Sequence, residues 1–232
     1  MNKKIVTIAV ITLVCLSSFG QAFQNLNFES GRVSAITYPY SDLGGPGIIS
    51  FSQGLPFWTG GQDGFSARNQ LCFNGYFLDQ GCLGLYTNQS RLAGKYSLYL
   101  GAEYPVVWTP SAARVAQIGT VPTTAKSIWF NASPGDLTLM GRWPQYQGTQ
   151  FTVTLNGQNI PIQLQATTST YYTWAGDIRG FEGSLSELAF SLRPAGGAYT
   201  NPPTSIYGCM LDDISFSAQV VPEPASITGS TH

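Results

Sequence analysis

The sequence predicts an all-β domain, an antiparallel β-sandwich, behind a cleaved N-terminal signal. Three observations carry this. Apolar and polar residues alternate in short runs rich in β-branched and aromatic residues. Clusters of Gly, Pro, Asn and Ser punctuate those runs at spacings too short for helices of ordinary length. Helical periodicity is hard to find anywhere after residue 22.

The first element is the signal. Lys3 and Lys4 form a positive n-region, and Ile5 to Leu16 form an apolar run broken only by Thr7 and Thr12. Ser17 to Ala22 follows as a polar stretch, with Gly20 and Ala22 as the small side chains a signal peptidase reads before its cut. The apolar run falls short of the roughly 20 residues a spanning helix needs. The mature chain is therefore expected to begin at Phe23 and to work outside the cell or at its surface. Thr12-Leu13-Val14 lacks the small residue that lipid attachment at Cys15 requires.

The strands come next. The clearest runs are Tyr96 to Leu100, Ala113 to Ile118, Ser127 to Asn131, Leu137 to Met140, Phe151 to Leu155, Ile160 to Gln165, Glu187 to Leu192 and Met210 to Ser217. Asn156-Gly157 between two of them predicts a hairpin, because both turn residues tolerate positive φ. Short strands at this spacing read as a sandwich or jelly roll. Thr37 to Gly64 and Arg68 to Asn88 read as long edge loops, and Gly176 to Phe181 as a single helical turn. One domain is expected over 23–219, with a C-terminal tail over 220–232.

Composition narrows the function. Removing Lys3 and Lys4 leaves nine basic residues against 12 acidic ones, a net charge of −3, which gives nucleic acid nothing to hold. The only histidine is the C-terminal residue, which removes His-based catalytic triads and makes a zinc site unattractive. Glu103, Asp136, Asp177, Glu182 and Glu187 show no spacing that marks a glycosidase pair. A non-enzyme is expected. Cys72 and Cys82 flank a Gly-containing loop and are expected to form a local disulfide, with Cys209 left as a small hydrophobe beside the last strand. Pairing of Cys209 with either of the others stays open at this level.

Two resemblances add to this. Val221-Pro222-Glu223-Pro224-Ala225-Ser226 resembles the sorting motif of PEP-CTERM proteins, carried here by Pro222, Glu223 and Pro224. In that family a membrane helix and a basic tail follow the motif and an exosortase processes it. This sequence stops at His232 without either, so neither that anchor nor exosortase processing is expected. Asn25 to Ser30, Pro56 to Thr59, Ala116 to Thr120 and Leu211 to Phe216, in that order, resemble exported domains with a galactose-binding-like jelly roll, also used by many carbohydrate-binding modules. The resemblance implies that first and last strands run side by side with a structural calcium ion where they meet. Glu29 and Asp212, with Asp213 as the alternative, would supply oxygens, the ligand type calcium takes.

The expected partner is extracellular polysaccharide, met either through weak, distributed contacts of a structural cell-surface or matrix protein or, as the alternative, by a dedicated carbohydrate-binding module. Sugar-binding sandwiches stack pyranose rings on exposed aromatic faces and bind hydroxyls with amides and carboxylates. Trp58, Trp143 and Tyr146 are the candidate ligand-binding residues, with Trp143-Pro144-Gln145-Tyr146 as the patch of most interest. Trp129, between Ile128 and Phe130, reads as core.

Overall fold

In the computed structural model the described residues are 21–37, 47–62, 66–67, 69–74, 83–87, 92–104, 112–133, 149–194 and 205–222. They form two sheets packed face to face. The larger one contains β1 (Gly47–Ser50), β4 (Gln70–Phe73), β5 (Leu83–Tyr86), β6 (Ser97–Tyr104), β8 (Ser127–Ser133), β11 (Ile162–Thr167), β12 (Tyr172–Asp177) and β14 (Ser205–Ser217). Its order is β1-β4-β5-β6-β14-β8-β12-β11. The smaller one contains β2 (Thr59–Gln62), β3 (Ser66–Ala67), β7 (Ala113–Thr120), β9 (Thr149–Leu155), β10 (Gln158–Asn159) and β13 (Leu185–Pro194), in the order β10-β9-β13-β7-β2-β3. All pairings are antiparallel except β4 with β5. From β6 to β9, and again from β13 to β14, successive strands change sheet, as in a jelly roll.

Period-two alternation builds the core. Val115 of β7, Ile128, Phe130 and Ala132 of β8, Val153 and Leu155 of β9, Trp174 of β12, Leu188, Phe190 and Leu192 of β13, and Cys209 and Leu211 of β14 all point between the sheets and are buried. Phe190 joins them as an aromatic hub, 5.4 Å from Phe130 and 6.4 Å from both Trp58 and Phe151.

Several expectations change here. The Asn156-Gly157 turn forms, with φ of 50° and 75°, and Gln158 pairs with Leu155. The hairpin stops after two residues, however. Pro161 has no N–H to continue the ladder, Ile160 turns into the core, and Ile162–Thr167 crosses to the other sheet to pair with β12. The glycine-rich stretches expected as loops contain β1, β2, β4 and β5, together with one helical turn at Phe51–Gly54. No helix forms at 176–181. Asp177 ends β12, and a turn follows in which the Phe181 N–H donates to the Ile178 carbonyl. The run Leu137 to Met140 lies outside the described residues.

The N-terminal segment and the last strand adjoin. Ile214 N–H donates to the Leu26 carbonyl, and the Phe23 and Phe216 rings are 5.2 Å apart. Packing extends slightly beyond 219, since Val221 is buried. Of the expected signal over 1–22, residues 1–20 lie outside the described residues, while the Gln21 carbonyl accepts the Thr120 N–H; Glu223 and Pro224 also lie outside them, and Pro222 is exposed.

Candidate functional site

Trp58 is not a surface platform. It is 4% exposed, lies 5.6 Å from Phe28, and its indole N–H donates to the Asn25 carbonyl at 3.0 Å. The segment Leu55 to Trp58 folds into a turn that drives the indole inward, so its faces are spent on the core. Trp143 and Tyr146 lie outside the described residues.

The two carboxylates expected to ligate a cation both bond to one turn, Leu92–Ser97. Glu29 accepts the backbone N–H groups of Lys95 and Tyr96 at 2.8 and 3.0 Å through Oε1. Asp212 accepts the Ser97 hydroxyl at 2.6 Å through Oδ2 and the Asp213 N–H at 2.8 Å through Oδ1. Ser97 Oγ in turn accepts the Leu92 N–H at 2.8 Å. One turn, Leu92–Ser97, is thus gripped from the N-terminal segment and from β14. Gly94 has φ +51°, which favours glycine, and a Cβ there would push the Glu29 carboxylate off the turn it holds.

Asp212 is 1% exposed, and burial pushes its carboxyl up to about 7 against the pull of its hydrogen bonds. Among the described residues its hydrogen-bond partners are all neutral donors, and a hard cation stabilises a buried carboxylate of that kind. Among the described residues no three His, Cys, Asp or Glu side chains cluster, so carbonyl and water oxygens would have to complete a calcium shell.

The cysteines separate. Cys72 pairs with Gly84, Gly84 with Tyr99, and Tyr99 with Met210, the neighbour of Cys209. Three strand spacings put Cys72 about 14 Å from that end of β14. A disulfide needs Cα atoms within roughly 7 Å. Cys72–Cys209 pairing is therefore ruled out. Cys209 is fully buried, which pushes its thiol up to about 12. Cys82 lies outside the described residues, so its pairing with Cys72 is untouched by this.

The most developed surface arrangement centres on Trp129, and it corrects the reading of that residue as core. Ile128 and Phe130 take the inward positions of β8, so Trp129 takes the outward one and is partly exposed. Its indole N–H donates to Ser127 Oγ at 2.7 Å, and Ser127 Oγ donates to the Gln219 carbonyl at 2.7 Å, which pins the ring. Its cross-strand neighbours are small: Ala175 on β12 and Ser215 on β14. Ala175 points to the same outer face yet is fully buried, as expected under a flat ring. Gln163 stands beyond Ala175 in the same row.

One row along, three polar side chains form a relay. Thr173 Oγ1 donates to Asn131 Oδ1 at 2.9 Å, and Asn131 Nδ2 donates to Asp213 Oδ2 at 3.2 Å. Asp213 occupies a bulge in β14 between Asp212 and Ser215, with φ +50°. The signal for this face was present in the sequence. Ser127, Trp129, Asn131 and Ser133 form the period-two set that is polar apart from the tryptophan.

Other carboxylates are committed elsewhere. Glu187 pairs with Arg114, Glu182 with Lys126 at 3.0 Å, and Asp177 with Arg179. Arg179 holds the Asp177 carboxyl below its ordinary value.

No protein-family model matches the chain, and no curated protein matches it in sequence. Among solved structures it is similar to TmCBM61 in complex with β-1,4-galactotriose (11% identity, 85% of this chain and 97% of that one, TM-score 0.39). It is similar to Caldicellulosiruptor saccharolyticus CBM27-1 in complex with mannohexaose (15% identity, 76% and 98%, TM-score 0.38). It is also similar to the K1 cleaved adhesin domain of Lys-gingipain from Porphyromonas gingivalis W83 (13% identity, 74% and 97%, TM-score 0.39). Likeness at these TM-scores bears on neither ligand nor site.

Proposed function

We propose that this chain is an exported, non-catalytic protein that binds extracellular polysaccharide through the outer face of its eight-stranded sheet. One observation carries the reading: a pinned, partly exposed Trp129 flanked by small residues, with Asn131, Thr173, Gln163 and Asp213 around it. An aromatic face beside amide, hydroxyl and carboxylate groups is the chemistry that stacks a pyranose ring and holds its hydroxyls. A non-catalytic role agrees with the surface ion pairs that occupy Asp177, Glu182 and Glu187. A calcium ion at the Leu92–Ser97 turn, held by Glu29 and Asp212, would brace the fold at the edge of this face. The PEP-like motif supports a cell-surface setting, and the Cys72–Cys82 staple belongs to the same proposal.

The test is a pull-down of the chain starting at Phe23 on insoluble polysaccharides, backed by a glycan array. Retention lost in Trp129→Ala, with the melting temperature kept near that of the parent, is the expected result. Trp58→Ala is the contrast. It removes a buried ring, costs about 3–5 kcal/mol of stability, and lowers binding only by unfolding the domain. Equal retention of parent and Trp129→Ala would overturn the site.

A further inference from the structure

We propose that Asp213 sets the ligand class at this face: neutral glycans with adjacent free hydroxyls, and not polyanionic ones. The inference rests on the carbohydrate reading above and adds the chemistry of selection.

The relay fixes what is left to offer. A carboxylate only accepts, so the Asn131 amide must turn its NH₂ toward Asp213 and its oxygen toward Thr173, whose hydroxyl then donates. Among the contacts described, Asp213 uses one acceptor site on Oδ2, and a carboxylate has about four. Asn131 keeps its second N–H. Acceptors on Asp213 and a donor on Asn131, side by side and one row from the indole, match two neighbouring hydroxyls of a ring stacked on Trp129. Hydrogen bonds to a charged acceptor are the stronger kind.

Two further observations point the same way. Asp213 sits at φ +50° in a bulge, a conformation non-glycine residues adopt at a cost, and bulges re-aim side chains. Here the extra residue of the bulge leaves Asp212, in register with Asn131, reaching Ser97, and lets Asp213 reach Asn131 as well. Strands β6, β8, β11, β12 and β14 contain no Lys or Arg at all. A uronate or sulfated chain laid here would meet Asp213 with no cation from the sheet to offset it, whereas a neutral chain brings hydroxyl donors.

The experiment is affinity electrophoresis in gels holding neutral polysaccharides (a galactan, a mannan, a β-glucan) or acidic ones (alginate, polygalacturonate), at low and high salt. The proteins are the parent, Trp129→Ala, Asp213→Asn and Asn131→Ala, with melting temperatures recorded for each. Asn tolerates positive φ, so Asp213→Asn keeps the bulge, and Asn131→Ala leaves its backbone untouched. The expected result is retardation by a neutral polysaccharide that salt leaves unchanged. It should be lost in Trp129→Ala and weakened on the order of tenfold or more in both relay variants, at unchanged melting temperature. Trp129-dependent binding that ignores both relay variants, or that prefers the acidic gels, removes this inference and leaves the carbohydrate reading standing. Retardation by none of the gels removes both.

Discussion

Asp212 and Asp213 are chemical twins with opposite environments. Asp213 faces solvent, while Asp212 is buried with its carboxyl pushed up to about 7 from an ordinary 3.8. A carboxyl raised by folding binds its proton more tightly in the folded state. Its stabilising contribution is therefore complete below about pH 4 and is lost as pH rises toward 7. Without calcium, the melting temperature of the parent should fall as pH rises through that window. Asp212→Asn, which carries no charge at any of these pH values, should flatten the slope. Added calcium should raise the melting temperature of the parent most at the upper end and leave Asp212→Asn unmoved. A differential scanning fluorimetry series across pH, with chelator or calcium, checks all three. Asp177 and Glu182 are both held below their ordinary values, so their contributions are lost only in more acidic solution and do not overlap this window. The two carboxylates Glu29 and Asp212 could be singled out only through a resemblance, because nothing in their spacing announces that both reach one turn 66 and 115 residues away from its anchors.

At the scale of elements, the Asn156-Gly157 turn shows what local sequence can and cannot specify. The turn itself was legible, since only residues tolerant of positive φ fit there. The destination of the strand after it was not, because Pro161 ends one ladder and burial of Ile160 and pairing with β12 decide the next. Similarly, FTVTL, SIWFN and ELAFSL were readable from alternation, while β1, β2 and β5 are short and carry glycines, and tertiary pairing alone makes them strands. Trp129 sits between two apolar residues and so has the look of core in the sequence, while the parity of its position between inward Ile128 and Phe130 sends it outward. The side chain of Asn156 does more than permit a turn. Its Oδ1 accepts the Glu187 N–H at 2.8 Å, and its Nδ2 donates to Ser186 Oγ at 3.1 Å, which adds a rung to the β9–β13 pairing. Asn156→Gly keeps the turn conformation and removes both bonds. It should cost about 1–2 kcal/mol in urea unfolding, more than the turn alone would suggest, while Gly157→Ala, which meets no atom, should cost less despite its φ.

For the molecule as a whole, the sandwich class was readable from the alternation and spacing of the short apolar runs. The site was only partly so: Trp58 went to the core, and the polar relay depends on a bulge that no pattern in the sequence announces. The separation of Cys72 from Cys209 is likewise a fact of strand order. It predicts that Cys209 stays unmodified by iodoacetamide in native buffer and is labelled in full in denaturant, read by peptide mass spectrometry. Labelling of Cys209 in the native state would contradict its burial and its raised thiol.

The last strand lies in the middle of the larger sheet, between β6 and β8. A polypeptide threaded through a translocation channel from its N-terminus delivers that strand last. Until Ser205–Ser217 arrives, β6 and β8 have no shared neighbour, the sheet is two separate ribbons, and Leu98, Leu100 and Ile128 lack their register partners. The architecture thus postpones its own completion. On the export reading proposed above, such a chain would stay threadable while its tail is held back and would lock once the tail is released. The keystone is placed by the order of emergence.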